Sequence, residues 1–239
     1  MQTDFIEIAN GKAVERHRIP HLAFDDFRTQ AMAIVNGGGK VVQYFGYEEG
    51  DGIKLLAVLR TERLLVAGCD STEAYPSMSL ACEPFHLFER ELAEQFAIRP
   101  EGHPWLKMVR YHPNYRGRDD IFGNDYEADI PGNYNYYAVE GEEVHEVAVG
   151  PVHAGVIEPG HFRFNCIGER VMHLEIQLGY QHRGIEQLLM NVDARRLPII
   201  TEGIAGDTAV GHGLCYAQAI EALTDTTPDA GARIIRTIG

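Results

Sequence analysis

At 239 residues the chain is long enough for one or two domains with cores of their own, and its 45% hydrophobic content excludes a disordered chain. A formal charge of −14 excludes the basic face that nucleic-acid binding requires and reads first as a solubility device. No apolar run reaches the ~18 residues that span a bilayer, and no signal peptide opens the chain, so a soluble or peripheral, intracellular protein is expected. The four cysteines, Cys69, Cys82, Cys166 and Cys215, form no two-residue-spaced pair, which argues for reduced, buried thiols over a zinc ribbon or a local iron–sulfur motif.

The predicted elements begin with a short strand at Phe5–Ile8 and a short helix over residues 20–30, through Leu22, Phe24 and Phe27. Ala31–Asn36 reads as a strand, closed by the Gly37-Gly38-Gly39 turn. Three apolar, β-branched runs follow as strands, Val41–Tyr47, Ile53–Arg60 and Leu64–Cys69. A helix is expected from about Ser77 to Phe96, because Phe85, Phe88, Leu92 and Phe96 recur on one face. Beyond Ile98 an extended tail is pinned by Pro100, Pro104 and Pro113. The first domain is therefore expected to be α+β, an antiparallel sheet with helices packed on it, over residues 1–113.

Residues 114–143 change character, with five tyrosines, acidic residues, Pro131 and glycines, and read as a linker, an extended segment lying on a partner surface, or an ordered surface loop. After it, Val144–Val149, Phe162–Ile167 and Val171–Tyr180 read as strands, the last two joined by a Gly168-Glu169-Arg170 hairpin turn. A helix follows over Ile185–Arg196, ended or kinked by Pro198, and another over Thr208–Leu223 with Val210, Leu214, Ala217 and Ile220 on one face. Ala232–Arg236 looks like the start of a further helix.

Several residue groups are candidates for chemistry. Glu89, Arg90 and Glu91 close the long helix and read either as a docking face or as a solvated charged face with Arg90 satisfied locally. His103 is a metal-ligand candidate, although a lone histidine between glycine and proline is more often a structural hydrogen-bonder. The loop between Gly150 and Phe164 carries His153, Glu158 and His161, a set suited to moving protons. His182 and Arg183 stand where a strand gives way to a helix, with Glu186 in that helix's first turn. Asp207 and His212 are further polar groups, Asp207 being equally suited to capping the helix that follows.

Two of these blocks resemble known families. Glu89-Arg90-Glu91 leading to Gly102-His103-Pro104 is similar to the end of the C subunit of respiratory complex I, although Ala97, Trp105 and Lys107 depart from its usual residues. Gly150–Phe164 and His182-Arg183-Gly184-Ile185-Glu186 resemble the start of the complex I D subunit and of group 4 nickel–iron hydrogenase large subunits. The resemblance implies a C-like domain fused, through the linker, to the first part of a D-like domain at residues 144–239, with the rest of a large subunit expected beyond Gly239. It implies that the Gly150–Phe164 loop handles protons or borders a quinone headgroup. Glu158 is the best match for the hydrogenase proton carrier, though by register that position falls nearer Pro159, and His153 matches the first histidine of the complex I loop. It places His182 and Arg183 beside an iron–sulfur cluster held by a neighbouring small subunit.

At Thr201–Thr208 the pattern departs from both parents. Hydrogenases carry two nickel-binding cysteines there, where this chain has Ala205 and Thr208; complex I carries a quinone-holding tyrosine, where this chain has Gly206. The expectation is thus an oxidoreductase subunit, peripheral on the cytoplasmic face of the cell membrane, that binds no cofactor itself. Its partners would be an iron–sulfur subunit and membrane subunits. A quinone-reducing complex I subunit and a non-catalytic assembly protein are the alternatives; a metal hydrolase built on the 11 histidines lacks any metal-spaced motif.

Overall fold

The structure, a computed structural model, describes residues 3–110, 114, 116, 120–123 and 136–238. Pro113 and much of the 114–143 segment lie outside the described residues. The first half runs β1 (Ile6–Ile8), β2 (His21–Leu22), α1 (Phe24–Asn36), β3 (Lys40–Glu49), β4 (Gly52–Arg60), β5 (Leu64–Asp70), β6 (Ala74–Pro76), α2 (His86–Phe96) and β7 (Arg99–Glu101). The second runs β8 (Val144–Val149), β9 (His161–Ile167), β10 (Arg170–Gln177), α3 (Ile185–Asn191), α4 (Leu197–Glu202), α5 (Ala209–Thr224) and α6 (Ala230–Ile238). The class is α+β. No helix among the described residues is long and apolar enough to cross a membrane.

The first sheet has the order β1-β5-β4-β3 with antiparallel ladders, and β2 adds a parallel pair to β5. Its core is aromatic: Phe5 stacks on Phe27 at 5.7 Å, and Tyr44 meets Phe85 edge-on at 5.5 Å. Residues 31–36 are helical, not a strand. Phe27, Ala31, Ile34 and Val35 are buried along one stripe of α1, and a period-two reading of the same apolar letters misses it.

The long helix also starts later than its apolar spacing suggests. Ser77–Cys82 is a loop with a single turn: the Met78 and Ser79 amides go to the Glu89 side chain and the Ser77 amide to the Glu101 carbonyl, while the Ala81 and Cys82 amides close the turn on the Met78 carbonyl. The fully buried carboxylate of Glu89 accepts from Ser77 Oγ (2.6 Å), Met78 N (2.8 Å), Ser79 N (3.2 Å) and Ser79 Oγ (2.5 Å). Ala97, at φ 56°, then turns the chain out of α2 into β7, which pairs parallel with β6.

Three neighbours of Glu89 hold the tail that follows. Arg90 donates through Nε to the Lys107 carbonyl and through Nη2 to the Met108 carbonyl, both at 2.7 Å, and its guanidinium lies 5.4 Å from the Trp105 ring. Glu94, fully buried, accepts from Val109 N and Arg110 N at 2.8 Å. Glu91 accepts from Arg110 Nη2 at 3.0 Å. Glu89, Arg90 and Glu94 are thus not a solvated face: Arg90 is satisfied locally, and the helix clamps the chain's own tail.

His103 is a hydrogen-bonder. Its Nδ1 accepts from Trp105 N (3.0 Å), so the neutral ring carries its proton on Nε2, which donates to the His86 carbonyl (3.1 Å). The His86 and His103 rings lie 4.7 Å apart.

In the second half, Pro198 does not end a helix. α3 stops at Asn191, Asp193 caps a short turn by accepting from Arg195 N (2.9 Å), and Pro198 sits in the first turn of α4, where its missing N–H is not needed. α5 carries Val210 and Ile220 exposed, so the expected single apolar face is only partly covered. α6 is capped by Asp229, which accepts from Ala232 N (2.7 Å).

Two stability measurements follow. Glu89→Ala leaves the Met78 and Ser79 amides buried without an acceptor and is expected to lower unfolding free energy by about 3 kcal/mol; a loss below ~1 kcal/mol in urea titration would mean the loop holds itself. Burial holds the His103 imidazole below its ordinary 6.5, and burial with His103 beside it does the same for His86. Each takes up a proton less readily folded than unfolded. Their contribution is complete above pH ~6.5 and is lost as the pH falls through that value toward the folded ones. His103→Asn should flatten this acid limb of the urea midpoint against pH, and an unaltered slope would assign the limb to other groups.

Candidate functional site

β8, β9 and β10 form an antiparallel sheet in the order β10-β9-β8. Its register puts Val147, Phe164 and Leu174 in one cross-strand row and Val149, Phe162 and Ile176 in another. These apolar rows share one face, and Val147, Val149, Leu174 and Ile176 are exposed. The opposite face carries His161, Arg163, Asn165, Glu175 and Gln177, of which His161, Asn165, Glu175 and Gln177 are buried. Glu175 is ion-paired with Lys107 from the first half's tail and accepts from Tyr137 N (2.8 Å). His161 lies on this inner face with its ring 5.5 Å from Tyr136, over which the Arg163 guanidinium sits at 4.3 Å.

The loop between β8 and β9 is closed on itself. Gly160 N donates to the Pro151 carbonyl (3.1 Å), Val156 N to the His153 carbonyl (3.1 Å), and His153 Nε2 to the Gly160 carbonyl (2.8 Å). Gly150, at φ +86°, lets these strands of the loop approach: a Cβ there would stand 2.2 Å from the Gly160 oxygen and 2.7 Å from His153 Nε2. With its base fixed, the loop presents Gly155–Glu158 outward.

Those residues form one wall of a cleft of about 830 Å³. Tyr180, Gln181, His182 and Arg183 form the second wall and Ala205, Gly206 and Asp207 the third. Arg183 fixes the second wall to the third by donating from Nη2 to the carbonyls of Gly203 (2.8 Å) and Ile204 (3.0 Å), just past the C-terminus of α4, where a cation is electrostatically favoured. Gly184, at φ 65°, allows the abrupt step from this segment into α3.

The cleft thus brings together Glu158, His182, Arg183 and Asp207. His153 and His161 are not among its lining residues: one latches the loop and the other lies on the sheet's inner face. Asp207 does not cap α5, whose N-cap is Thr208 without a side-chain bond, and His212 turns to Thr208 through Nδ1 (3.0 Å) instead of to the cleft. Tyr180, Val156 and Ile157 were not singled out from the sequence, where they have no spacing signal; burial, then neighbouring Tyr180, pushes the Tyr136 phenol up to about 12.

Among the described residues no group of three His, Cys, Asp or Glu side chains converges as a metal site. Cys69, Cys82 and Cys166 are buried, with burial pushing the Cys69 thiol up to about 12, and Cys215 is exposed.

No protein-family model matches the chain. It is similar to the D subunit of the F(420)H(2) dehydrogenase of Methanosarcina mazei, 36% identical over 94 residues, covering 38% of this chain and 25% of that protein. It is similar to the Hydrogenase-4 component G of Escherichia coli, 24% identical over 178 residues, 71% of this chain and 32% of that protein. The C/D subunit of the NADH-quinone oxidoreductase of Methylococcus capsulatus is 24% identical over 196 residues, 73% of this chain and 33% of that protein. The chain is thus distantly homologous to complex I C/D subunits and to group 4 hydrogenase components, and spans a quarter to a third of the length of these relatives.

Gly150→Ala tests the loop's closure. It should cost about 2 kcal/mol or more through the close contacts and the positive φ, and should release the His153 ring, read as loss of its NMR contacts to Phe162, 5.5 Å away in the native loop. Retention of those contacts at native stability would show that the loop closes without this glycine.

Proposed function

We propose that this chain is a subunit of a membrane-associated oxidoreductase assembly of the complex I and energy-converting hydrogenase type, peripheral on the cytoplasmic face of the cell membrane. In this reading residues 1–113 are a C-like domain and residues 144–239 the first part of a D-like domain. The observation that carries it is the cleft, in which the three segments singled out by resemblance form three walls although they are far apart in sequence. The distant homology to subunits of such complexes supports the same reading.

In this proposal the iron–sulfur cluster belongs to a partner subunit and supplies single electrons at the cleft. The residues here fit a place beside such a cluster and not a ligand role, since the cleft offers a guanidinium and an imidazole but no thiolate. Arg183 contributes a fixed positive charge, anchored through Nη2, that favours the more negative, reduced state of a neighbouring group. Glu158, exposed on the loop, exchanges protons with whatever occupies the cleft; His153 keeps that loop closed, and His161 stands behind it as a further proton carrier on the sheet's inner face. In this reading nickel is not held here: by the register of the resemblance Ala205 and Thr208 take the places of the thiolates, and no cysteine is among the cleft's lining residues. A quinone is the second reading, favoured by Val156 and Ile157, apolar residues that line the same cleft as His182 and Arg183.

Capture of the assembly from native membranes through this chain, followed by elemental analysis, tests the proposal: iron without nickel is expected. Stoichiometric nickel would overturn the reading of Ala205 and Thr208, and neither metal would favour a docking protein. In that assembly Arg183→Met should shift the neighbouring cluster's paramagnetic signal, and Glu158→Gln should slow proton-coupled turnover by about 100-fold. Unchanged signal and turnover would remove both roles, while quinone reduction inhibited by Glu158→Gln would select the second reading.

A further inference from the structure

Arg110 was marked by no motif, and the resemblance assigns it nothing. It reaches both halves of the molecule at once. Its backbone N–H donates to Glu94 Oε2 (2.8 Å), which fixes its Cα against α2. One edge of its guanidinium faces Glu91 of the same helix, with Nη2 at 3.0 Å and Nε at 3.3 Å from Oε1. From the other edge, Nη1 lies 2.9 Å from Oε1 of Glu186, in the first turn of α3. Its side chain is about two-thirds buried. With Gln181, His182, Arg183 and Ile204 it lines a cavity of about 210 Å³ alongside the cleft.

We infer that Arg110 is a positioning residue: a carboxylate–guanidinium–carboxylate bridge through which α2 of the first half sets where the Gln181–Glu186 step stands, and with it His182 and Arg183. The consequence for the cleft's chemistry rests on the proposed function, but the bridge does not. Glu186 is three residues from Arg183, and Gly184 between them lacks a side chain that would stiffen the step, so the step needs an external hold. Arg183 supplies one, to the carbonyls of Gly203 and Ile204, and Arg110 supplies a further one, from the opposite half. A guanidinium suits this role because its planar fork offers two edges at fixed angles, whereas an ammonium is a point charge that does not hold two carboxylates in a set geometry. α3 is the element that depends on it, since none of its residues is buried.

The test is hydrogen exchange on the full chain, comparing Arg110→Met, Glu186→Gln, the double variant and Arg110→Lys. Arg110→Met and Glu186→Gln should each speed exchange in α3 about fivefold. The double variant should do no more than either alone, because both remove the same contact. Exchange in β3, β4 and β5 should stay native, which shows that the fold is intact. Arg110→Lys should recover less than half of the lost protection. Effects that multiply in the double variant would overturn the bridge, and so would full protection by lysine, which would reduce Arg110 to a general positive charge. None of these outcomes depends on an electron-transfer partner, so failure of the proposed function and failure of the bridge are read separately.

Discussion

A carboxylate withdrawn from water must be met by donors, and α2 withdraws two of them, Glu89 and Glu94, with the guanidinium of Arg90 between them. The chain's own backbone meets all three. Glu89 gathers the Ser77–Ser79 loop before the helix, and Arg90 and Glu94 gather the tail after it. One helix thus fixes the loop by which the chain reaches it and the tail by which the chain leaves the first half. The position of the tail, and of everything the tail touches, follows from that.

What the tail touches is the inner face of the second sheet. That sheet has its polarity reversed relative to an ordinary half-buried sheet: polar residues face the protein and apolar rows face outward. On that inner face the charge of Glu175 is matched, whereas among the described residues His161 Nε2, Arg163 Nε and Asn165 Oδ1 are buried there without a hydrogen-bond partner. Lys107 neutralises the buried Glu175, and the backbone at Tyr137 supplies it a further donor. The two halves are therefore coupled by charge compensation as well as by chain connectivity, and the cleft of the second half stands at the end of a line of contacts that begins in α2.

The cleft combines a closed loop, a strand-to-helix step and a turn, and side chains bonded to backbone and glycines with positive φ hold them. His153 and Gly150 serve the loop, Arg183 and Gly184 the step. This division of labour separates residues that hold the site from residues that face its occupant. His153 belongs to the first group, Glu158 to the second, and Arg183 to both, since only its Nη2 is used in the contacts to Gly203 and Ile204.

The α+β class, the β3–β4–β5 meander and the β9–β10 hairpin were legible in the sequence. Periodicity, turn glycines and short motifs are local, and local patterns decide local structure. Where two local readings competed, packing chose: the apolar letters of 31–36 fit a strand or a helix, and only the stripe from Phe27 to Val35 against the sheet made them helical. The Ser77–Cys82 loop was hidden because its hydrogen-bond acceptor, Glu89, lies 10 to 12 positions later. The same holds for the site. By itself the sequence determined which residue types could carry charge and protons. Only the tertiary structure decided that His153 latches, that His161 turns to the sheet's inner face, that Asp207 faces the cleft, and that Arg110 joins the two halves. A side chain's direction and partners depend on groups brought together across the chain, and no spacing along one segment encodes them.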